Sequence, residues 1–296
     1  MSVVAFVGLG AMGLPMARNL LSKGFEVRGV DLNTLALDDL VLAGGIRAGS
    51  AAEAAHNADV LMLMVVNAKQ AEHILMQPNV LDGLADNGVV CLMSTCPAAD
   101  VQRLHKLVAN KNRRFVDAPV SGGVAGAKAG SLTIMAAADQ VSFDQVHDIF
   151  RALGERIFHV GQEPGQGAVV KTVNQLLCGV HIAVMAEAFS LASKANIDLE
   201  LLLDIMRGSS ASSWMLHDRG PRMLQDDPEV TSAVDIFVKD LNIVLETGRD
   251  VRAALPIAAA AHQMFLATSG RGDGLADDSQ VIRSYHVLNV AAKQEK

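Results

Sequence analysis

The chain has 296 residues, half of them hydrophobic and 19% charged, which is enough apolar material for one large domain or two ordinary ones. Its formal net charge of −7 argues against a nucleic-acid partner, whose phosphates attract clustered lysines and arginines. The three cysteines form no CxxC pair and the nine histidines show no ligand spacing, so we expect neither disulfides nor a metal site.

In its first half the chain alternates short β-branched segments with helical patterns, which is typical of a parallel α/β sheet. Helical stretches include residues 14–23 and 98–109. The predicted strands are residues 3–7, 26–30, 60–65, 89–93, 114–117, 132–136 and 156–159.

From about Gly165 the pattern changes to long alanine- and leucine-rich segments. A long helix is predicted over residues 168–194, and His181 and Glu187 within it favour a buried helix over a membrane span. Further helices are predicted over residues 199–207, 234–251, 256–268 and 279–291.

These patterns predict an α/β fold in two domains. Residues 1–163 are expected to form a Rossmann-type, doubly wound parallel sheet, and residues 164–296 an all-helical domain. Glycines interrupt the apolar start and no basic leader precedes it, so we expect no targeting segment and a cytoplasmic protein without a membrane partner. An apolar helical domain with few charges favours self-association, as a homodimer or homotetramer.

A glycine-rich loop follows the first predicted strand and opens a helix. In a GxGxxG loop the first glycine allows a tight turn, the second lets the backbone approach a pyrophosphate, and the third lets helix and strand pack closely. The helix N-terminus adds amide donors and partial positive charge. The loop consists of Gly8, Leu9, Gly10, Ala11, Met12 and Gly13.

Asp31 directly follows the second predicted strand, eighteen residues after Gly13. At this spacing a carboxylate accepts hydrogen bonds from the adenosine ribose and repels a 2′-phosphate. No arginine follows directly, so the sequence favours NAD over NADP. The alternative is that Asp31 merely caps a loop.

With these features the sequence resembles the β-hydroxyacid dehydrogenase family over essentially its whole length. The family includes 3-hydroxyisobutyrate, tartronate semialdehyde and L-threonate dehydrogenases. Four motifs in the right order carry the resemblance, namely residues 8–13, 117–123, 167–171 and 239–241. Residues 232–241 and 277–279 are most similar to the L-threonate dehydrogenase branch.

Ser121, Gly122 and Gly123 offer a hydroxyl and closely spaced backbone amides, which together can hold a carboxylate. The resemblance implies that this segment binds the substrate carboxylate. Without the other motifs, an ordinary glycine turn explains it equally well.

Lys171 lies in an apolar helical stretch, with Asn174 and Gln175 on the same face at i+3 and i+4. Desolvation disfavours an ammonium and lowers a lysine pKa toward working pH, so a neutral amine here can take a hydroxyl proton. The alternative is a helix-surface lysine that extends to solvent. The resemblance implies that Lys171 is the catalytic acid/base and that Asn174 and Gln175 bind substrate.

Gln175 departs from the family, which commonly has Asn at this position. Glutamine keeps the amide and extends it by one methylene, so the pocket must differ. The L-threonate branch also has Gln there, which supports that branch over 3-hydroxyisobutyrate as substrate.

The resemblance also implies further ligand contacts. Thr95, Val66 and Asn67 follow two predicted strands and match positions that contact the cofactor, which is expected at this edge of the sheet. Lys239 is implied to approach the nicotinamide end, although a solvent-facing helix lysine would otherwise be preferred. Ser213 and Trp214 match a segment lining the substrate entrance, but the chain's one tryptophan is equally typical of a core.

The sequence therefore predicts an NAD-dependent dehydrogenase of a small hydroxycarboxylate, with chemistry between its two domains. L-Threonate, oxidised to 2-oxo-tetronate, is the first expectation. 3-Hydroxyisobutyrate dehydrogenase and tartronate semialdehyde reductase are the enzymatic alternatives, and an imine reductase would carry a different residue in place of Lys171. A catalytically silent NAD-binding sensor is the alternative from another class, and retention of Lys171 and residues 121–123 argues against it.

Overall fold

A computed structural model describes residues 2–289 of the chain; Met1 and residues 290–296 lie outside the described part. The chain divides into two compact units between Lys171 and Thr172. The domain boundary expected from the sequence, between residues 163 and 164, stays a prediction.

Within the described residues, the first unit is built on a nine-stranded sheet. Its strands are β1 (Val3–Val7), β2 (Glu26–Val30), β3 (Ile46–Arg47), β4 (Val60–Leu63), β5 (Val89–Leu92), β6 (Arg114–Asp117), β7 (Val120–Ser121), β8 (Thr133–Ala137) and β9 (Arg156–Gly161). Strands β3, β2, β1, β4, β5 and β6 lie side by side in that order and run parallel, which confirms the predicted parallel sheet.

Beyond β6 the sheet is mixed, a feature the sequence did not predict. Strand β8 is antiparallel to both β6 and β7, and β9 pairs with β8 in parallel. Strands β3 and β7 have two residues each, which is too short to produce a recognisable hydrophobic pattern.

The helices of the first unit cover both faces of the sheet. They are α1 (Gly13–Ser22), α2 (Thr34–Leu42), α3 (Ala51–Ala55), α4 (Ala68–Leu75), α5 (Ala98–Ala109), α6 (Gly123–Ala129) and α7 (Gln140–Leu153). Successive strand residues point to opposite faces, so Phe6 of β1 packs in one apolar cluster and Val7 in the other. Helices α1, α2, α6 and α7 complete the first cluster, and α3, α4 and α5 the second. The predicted doubly wound arrangement is therefore confirmed.

The second unit is helical. Helix α8 (Gln166–Lys194) begins in the first unit and continues into the second. The helices that follow are α9 (Leu199–Arg207), α10 (Trp214–Met223), α11 (Val234–Asp250), α12 (Pro256–Thr268) and α13 (Ile282–Leu288). Their buried side chains form one apolar cluster, in which the rings of Phe237 and Phe265 stack with centroids 5.2 Å apart.

Two helices differ from the sequence-based expectation. Helix α10 was not predicted because Gly220 and Pro221 lie inside it, and both residues normally disfavour a helix interior. The helix expected over residues 279–291 begins as a 3₁₀ turn, Asp278–Val281, before α13. Its last two residues, 290 and 291, lie outside the described part of the chain.

A buried ion pair joins α10 to this 3₁₀ turn. Arg219 donates from Nε and Nη2 to the two carboxylate oxygens of Asp278, both at 2.8 Å. Asp277 caps the turn, accepting from the backbone N–H of Ser279 at 3.2 Å and of Thr231 at 3.0 Å. Bidentate pairing opposes the desolvation of both buried charges, although burial still raises the pKa of the Asp278 carboxyl. Residues 277–279, which carried part of the family resemblance, therefore have a structural role.

Helix α8 is long and apolar enough, by length and composition, to cross a membrane. Ile182, Ala186 and Phe189 of this helix are fully or almost fully buried in the apolar cluster of the second unit. These contacts identify it as a core helix.

We expect Gly13→Ala to destabilise the first unit. A Cβ at position 13 would lie 1.9 Å from the carbonyl oxygen of Gly8, and relieving this backbone contact requires the loop to shift. Overpacking of this kind typically lowers the free energy of unfolding by about 1–3 kcal/mol. Gly10→Ala is the matched control, because its Cβ would have nothing within 4 Å. Thermal denaturation followed by circular dichroism should show a lower Tm for Gly13→Ala alone; equal values for the two variants would contradict the packing argument.

Candidate active site

The loops after β1, β4, β5 and β6 emerge at one edge of the sheet, because these strands are parallel neighbours. Ligands of doubly wound sheets bind outside this carboxyl edge. Predicted cofactor contacts are found in the first three of these loops: residues 8–13 after β1, Val66 and Asn67 after β4, and Thr95 after β5.

The glycine loop connects β1 to α1. Gly8 has a φ of +97°, which favours glycine, and its N–H donates to the carbonyl of Val30 at 3.0 Å. Among the described residues, no side chain caps the start of α1 and its first turn holds no acidic residue. The first amides of α1 are therefore suited to an anion such as a pyrophosphate.

The remaining loop residues differ in exposure. Leu9 is buried in the core, Met12 is half-buried at the helix cap, and Gly10 and Ala11 are exposed. A Cβ at Gly10 would enter open space, so glycine there leaves room for a ligand to approach the backbone. The loop thus fits a dinucleotide pyrophosphate.

Asp31 follows β2 and contacts the glycine loop. Its Oδ2 accepts from the N–H of Leu9 at 2.5 Å, and its Oδ1 accepts from the N–H of Asn33 at 2.7 Å. The carboxylate therefore has the loop-capping role considered from the sequence. Two oxygens offer about four lone-pair sites, so capacity remains for ribose hydroxyls.

Asn67 caps α4, since its Oδ1 accepts from the N–H of Gln70 at 3.0 Å. The backbone N–H of Val66 donates to the Oε1 of Gln70 at 2.9 Å, while the Val66 side chain is 51% exposed. Thr95 is half-buried in the loop after β5, one strand further along the sheet. The structure brings these residues to the expected edge; their contacts with a cofactor stay predictions.

Ser121 ends β7 and pairs with Thr133 of β8. Gly122 and Gly123, with φ values of +130° and +60°, lead into α6. A Cβ at Gly123 would have nothing within 4 Å, so the backbone there is open to a ligand. The glycine turn is present. The role of residues 121–123 as a cradle for the substrate carboxylate stays a prediction.

Lys171 lies in the second turn of α8 and is 7% exposed. Thr172 and Gln175 are buried to a similar degree, whereas Val170 and Val173 are exposed. The lysine therefore does not extend to solvent, in contrast to the alternative considered from the sequence.

Asp240 of α11 joins two of the predicted ligand-binding residues. Its Oδ2 accepts from the Nε2 of Gln175 at 2.5 Å, and its Oδ1 accepts from the Nζ of Lys239 at 2.6 Å. Gln175 Oε1 in turn accepts from the Nδ2 of Asn174 at 2.9 Å. The additional methylene of glutamine thus reaches a buried carboxylate on a neighbouring helix.

Asp117, at the end of β6, is fully buried. Its Oδ2 accepts from the backbone N–H of Gly165 at 3.0 Å and of Ala168 at 2.9 Å. Burial raises the pKa of its carboxyl to about 6, and the hydrogen bonds from backbone amides oppose that rise.

Sequence reasoning gave roles to neither Asp117 nor Asp240, although both lie within the motifs that carry the resemblance. The available signal was an acidic residue inside an apolar segment, which is uncommon unless the residue has a specific partner.

The expected role of Ser213 and Trp214 at a substrate entrance stays a prediction. Ser213 caps α10, accepting from the N–H of Leu216 at 3.1 Å. Trp214 is 52% exposed, so the core alternative for the tryptophan is wrong. Within residues 2–289, no group of three or more histidine, cysteine or acidic side chains could hold a metal ion.

Two family models match successive parts of the chain. The NAD binding domain of 6-phosphogluconate dehydrogenase matches residues 3–161. The NAD-binding domain of NADP-dependent 3-hydroxyisobutyrate dehydrogenase matches residues 165–285.

Similar proteins extend over nearly the whole chain. L-Threonate dehydrogenase of Pectobacterium atrosepticum is 39% identical, over 99% of this chain and 97% of that protein. The enzyme of the same name from Cupriavidus necator is also 39% identical, over 99% of both chains. The crystal structure of 3-hydroxyisobutyrate dehydrogenase from Salmonella typhimurium has a TM-score of 0.91 and 38% identity, covering 96% of this chain and 99% of that one. The chain thus belongs to the β-hydroxyacid dehydrogenase family of NAD(P)-dependent dehydrogenases.

Proposed function

We propose that this protein oxidises L-threonate at C2 to 2-oxo-tetronate, with NAD as the hydride acceptor. The full-length similarity to two L-threonate dehydrogenases carries the substrate assignment. Gln175, which departs from the family pattern toward the L-threonate branch, supports it.

NAD fits the residues at the carboxyl edge of the sheet. The uncapped start of α1 and the open Gly10 suit its pyrophosphate, and Asp31 suits its ribose. When bound, the nicotinamide supplies the hydride acceptor for the reaction.

The chain's own residues supply binding and proton transfer. Ser121, Gly122 and Gly123 hold the substrate carboxylate through a hydroxyl and backbone amides. Neutral Lys171 takes the proton of the C2 hydroxyl while the hydrogen on C2 leaves as a hydride, so that the C2 carbonyl forms. In the reduction direction the resulting ammonium returns the proton to the oxygen. The amides of Asn174 and Gln175 contact the remaining substrate hydroxyls.

3-Hydroxyisobutyrate is the second candidate substrate, because the similar structure from Salmonella typhimurium carries that enzyme's name. Tartronate semialdehyde reduction is a further possibility within the same family. A spectrophotometric NADH screen over C3 to C5 hydroxy acids separates these candidates, and a silent NAD-binding sensor would turn over none of them.

We further propose that the protein is cytoplasmic and forms a homodimer or homotetramer. Its three cysteines are free thiols, as expected in a reducing compartment. In the helical second unit, Val184, Leu191, Leu201 and Ile205 are each at least half exposed, and such apolar side chains favour burial between copies.

Asp31 should give a strong preference for NAD over NADP. A carboxylate facing a 2′-phosphate is repelled, and every 1.4 kcal/mol of lost binding corresponds to about a tenfold change in affinity. Asp31→Asn keeps the size of the side chain and removes the charge, so it should narrow the preference. The measurement is kcat/KM for both cofactors in both proteins. Equal or better wild-type rates with NADP would exclude this role of Asp31.

L-Threonate should have a higher kcat/KM than 3-hydroxyisobutyrate, by about tenfold or more. A site built to bind hydroxyls rejects an analogue that lacks them, because its own polar groups are left unpaired. Steady-state kinetics with the two acids at saturating NAD decide the question. If the branched acid is the better substrate, the branch assignment is wrong while the family assignment is unaffected.

Lys171→Ala should lower kcat by about 10²- to 10⁴-fold, the usual contribution of general acid–base catalysis. Lys171→Arg should be almost as damaging, because guanidinium keeps the charge but cannot release its proton at working pH. Wild-type oxidation should increase with pH as the amine deprotonates.

Cofactor affinity provides the control for both variants. The dissociation constant of NADH, measured by fluorescence titration, should be nearly unchanged, since the glycine loop and Asp31 bind the cofactor. Substantial turnover by Lys171→Arg would mean that the lysine supplies only positive charge.

A further inference from the structure

Asp117 connects the strand that leads to Ser121 with the helix that carries Lys171. Its carboxylate accepts the N–H groups of Gly165 and Ala168 at 3.0 and 2.9 Å, across 48 and 51 residues of sequence. Ala168 lies one helical turn before Lys171. A strand-borne side chain therefore caps the first turn of α8.

Backbone contacts hold this first turn against the sheet. A Cβ at Gly167 would lie 2.5 Å from the carbonyl oxygen of Met135 in β8 and 2.9 Å from that of Asp117. Only glycine allows this approach, so the start of the helix packs directly against the backbone of β6 and β8, where the Asp117 hydrogen bonds also hold it.

The chain that follows Asp117 leads directly to Ser121, Gly122 and Gly123, the predicted cradle for the substrate carboxylate. Ser121 follows four residues later, and the intervening residues 118–120 are buried. Asp117 is thus connected both to β7, which carries Ser121, and to the start of α8, which carries Lys171. All of these residues belong to the first unit.

Ionisation of the buried Asp117 carboxyl costs stability relative to its protonated form. Burial is the largest cause that raises the pKa of Asp117, from 3.8 to about 6. The folded protein therefore binds this proton more tightly than the unfolded chain does, and stability falls as the pH rises between these two values. No ion pair with Asp117 occurs within residues 2–289, and its Oδ1 has no hydrogen-bond partner there. A buried, ionised carboxylate without a cation partner is costly, so packing alone does not account for Asp117.

We propose that Asp117 is a positioning residue for the reaction: its charge-assisted hydrogen bonds to the start of α8 set the position of Lys171 relative to Ser121, Gly122 and Gly123. The inference rests on the proposed dehydrogenase activity. It assigns Asp117 no contact with the reacting atoms.

Asp117→Asn and Asp117→Ala test this role. Asparagine keeps an acceptor oxygen but loses the charge, and neutral hydrogen bonds are weaker, so kcat should fall by about three- to tenfold. Alanine leaves the helix start uncapped, and a misplacement of about 1 Å can lower a rate by about 10²-fold. We expect kcat to decrease in the order Asp, Asn, Ala, while the NADH dissociation constant changes by less than about twofold.

Asp139→Ala is the matched control. Asp139 caps α7 in the same unit, accepting from the N–H of Ser142 at 2.9 Å, and none of the predicted site residues lies on that helix. This variant should lower Tm and leave kcat per NADH-binding site unchanged.

Two results would overturn the inference. Wild-type kcat per NADH-binding site in both Asp117 variants would leave only a structural role. A loss of activity in Asp117→Asn as large as that in Lys171→Ala would indicate a direct chemical role for Asp117. The Asp117→Asn result distinguishes the two roles even if Asp117→Ala does not fold. A failure of the proposed function is detected separately, because the wild type would then not turn over L-threonate. In that case the Asp117 variants are compared with the hydroxy acid that the wild type does oxidise.

Discussion

The parallel pairing of six strands is the constraint on which the candidate site of the first unit depends. Parallel neighbours end at the same edge of the sheet, so the loops after β1, β4, β5 and β6 meet there although they are distant in sequence. Parallel strands also require crossover connections, and the helices on both faces supply the two apolar clusters that stabilise the unit. Core packing thus creates the arrangement of the site.

Local patterns made part of this arrangement predictable. The strand β1, the glycine loop, helix α1 and strand β2 follow one another within thirty residues, and each has a short-range signal in hydrophobicity or glycine spacing. The position of Asp31 follows from the register of β1 with β2, where Val7 pairs with Val30. Helices α5, α9 and α12 were predicted to the residue because polar or proline boundaries delimit their apolar patterns.

Contacts between distant residues were not predictable. Gln175 meets Asp240 across 65 residues, and Arg219 meets Asp278 across 59. The partner of each charged or amide group depends on how helices pack, which a single sequence does not encode in any local window. The same reason explains why Gln175 was read only as a substrate ligand, although its Nε2 donates to a carboxylate within the protein.

Three buried aspartates differ in the groups that donate hydrogen bonds to their carboxylates. Asp278 is paired with a guanidinium, and Asp240 with an ammonium and an amide. Asp117 accepts only from backbone amides, and burial raises its pKa to about 6. The first two arrangements join helices of the second unit, and pairing with Arg219 opposes the burial that raises the pKa of Asp278. Asp117, which has no cation partner among the described residues, lies instead at the sheet edge beside the start of the Lys171 helix, and perturbed ionisable groups concentrate at functional sites.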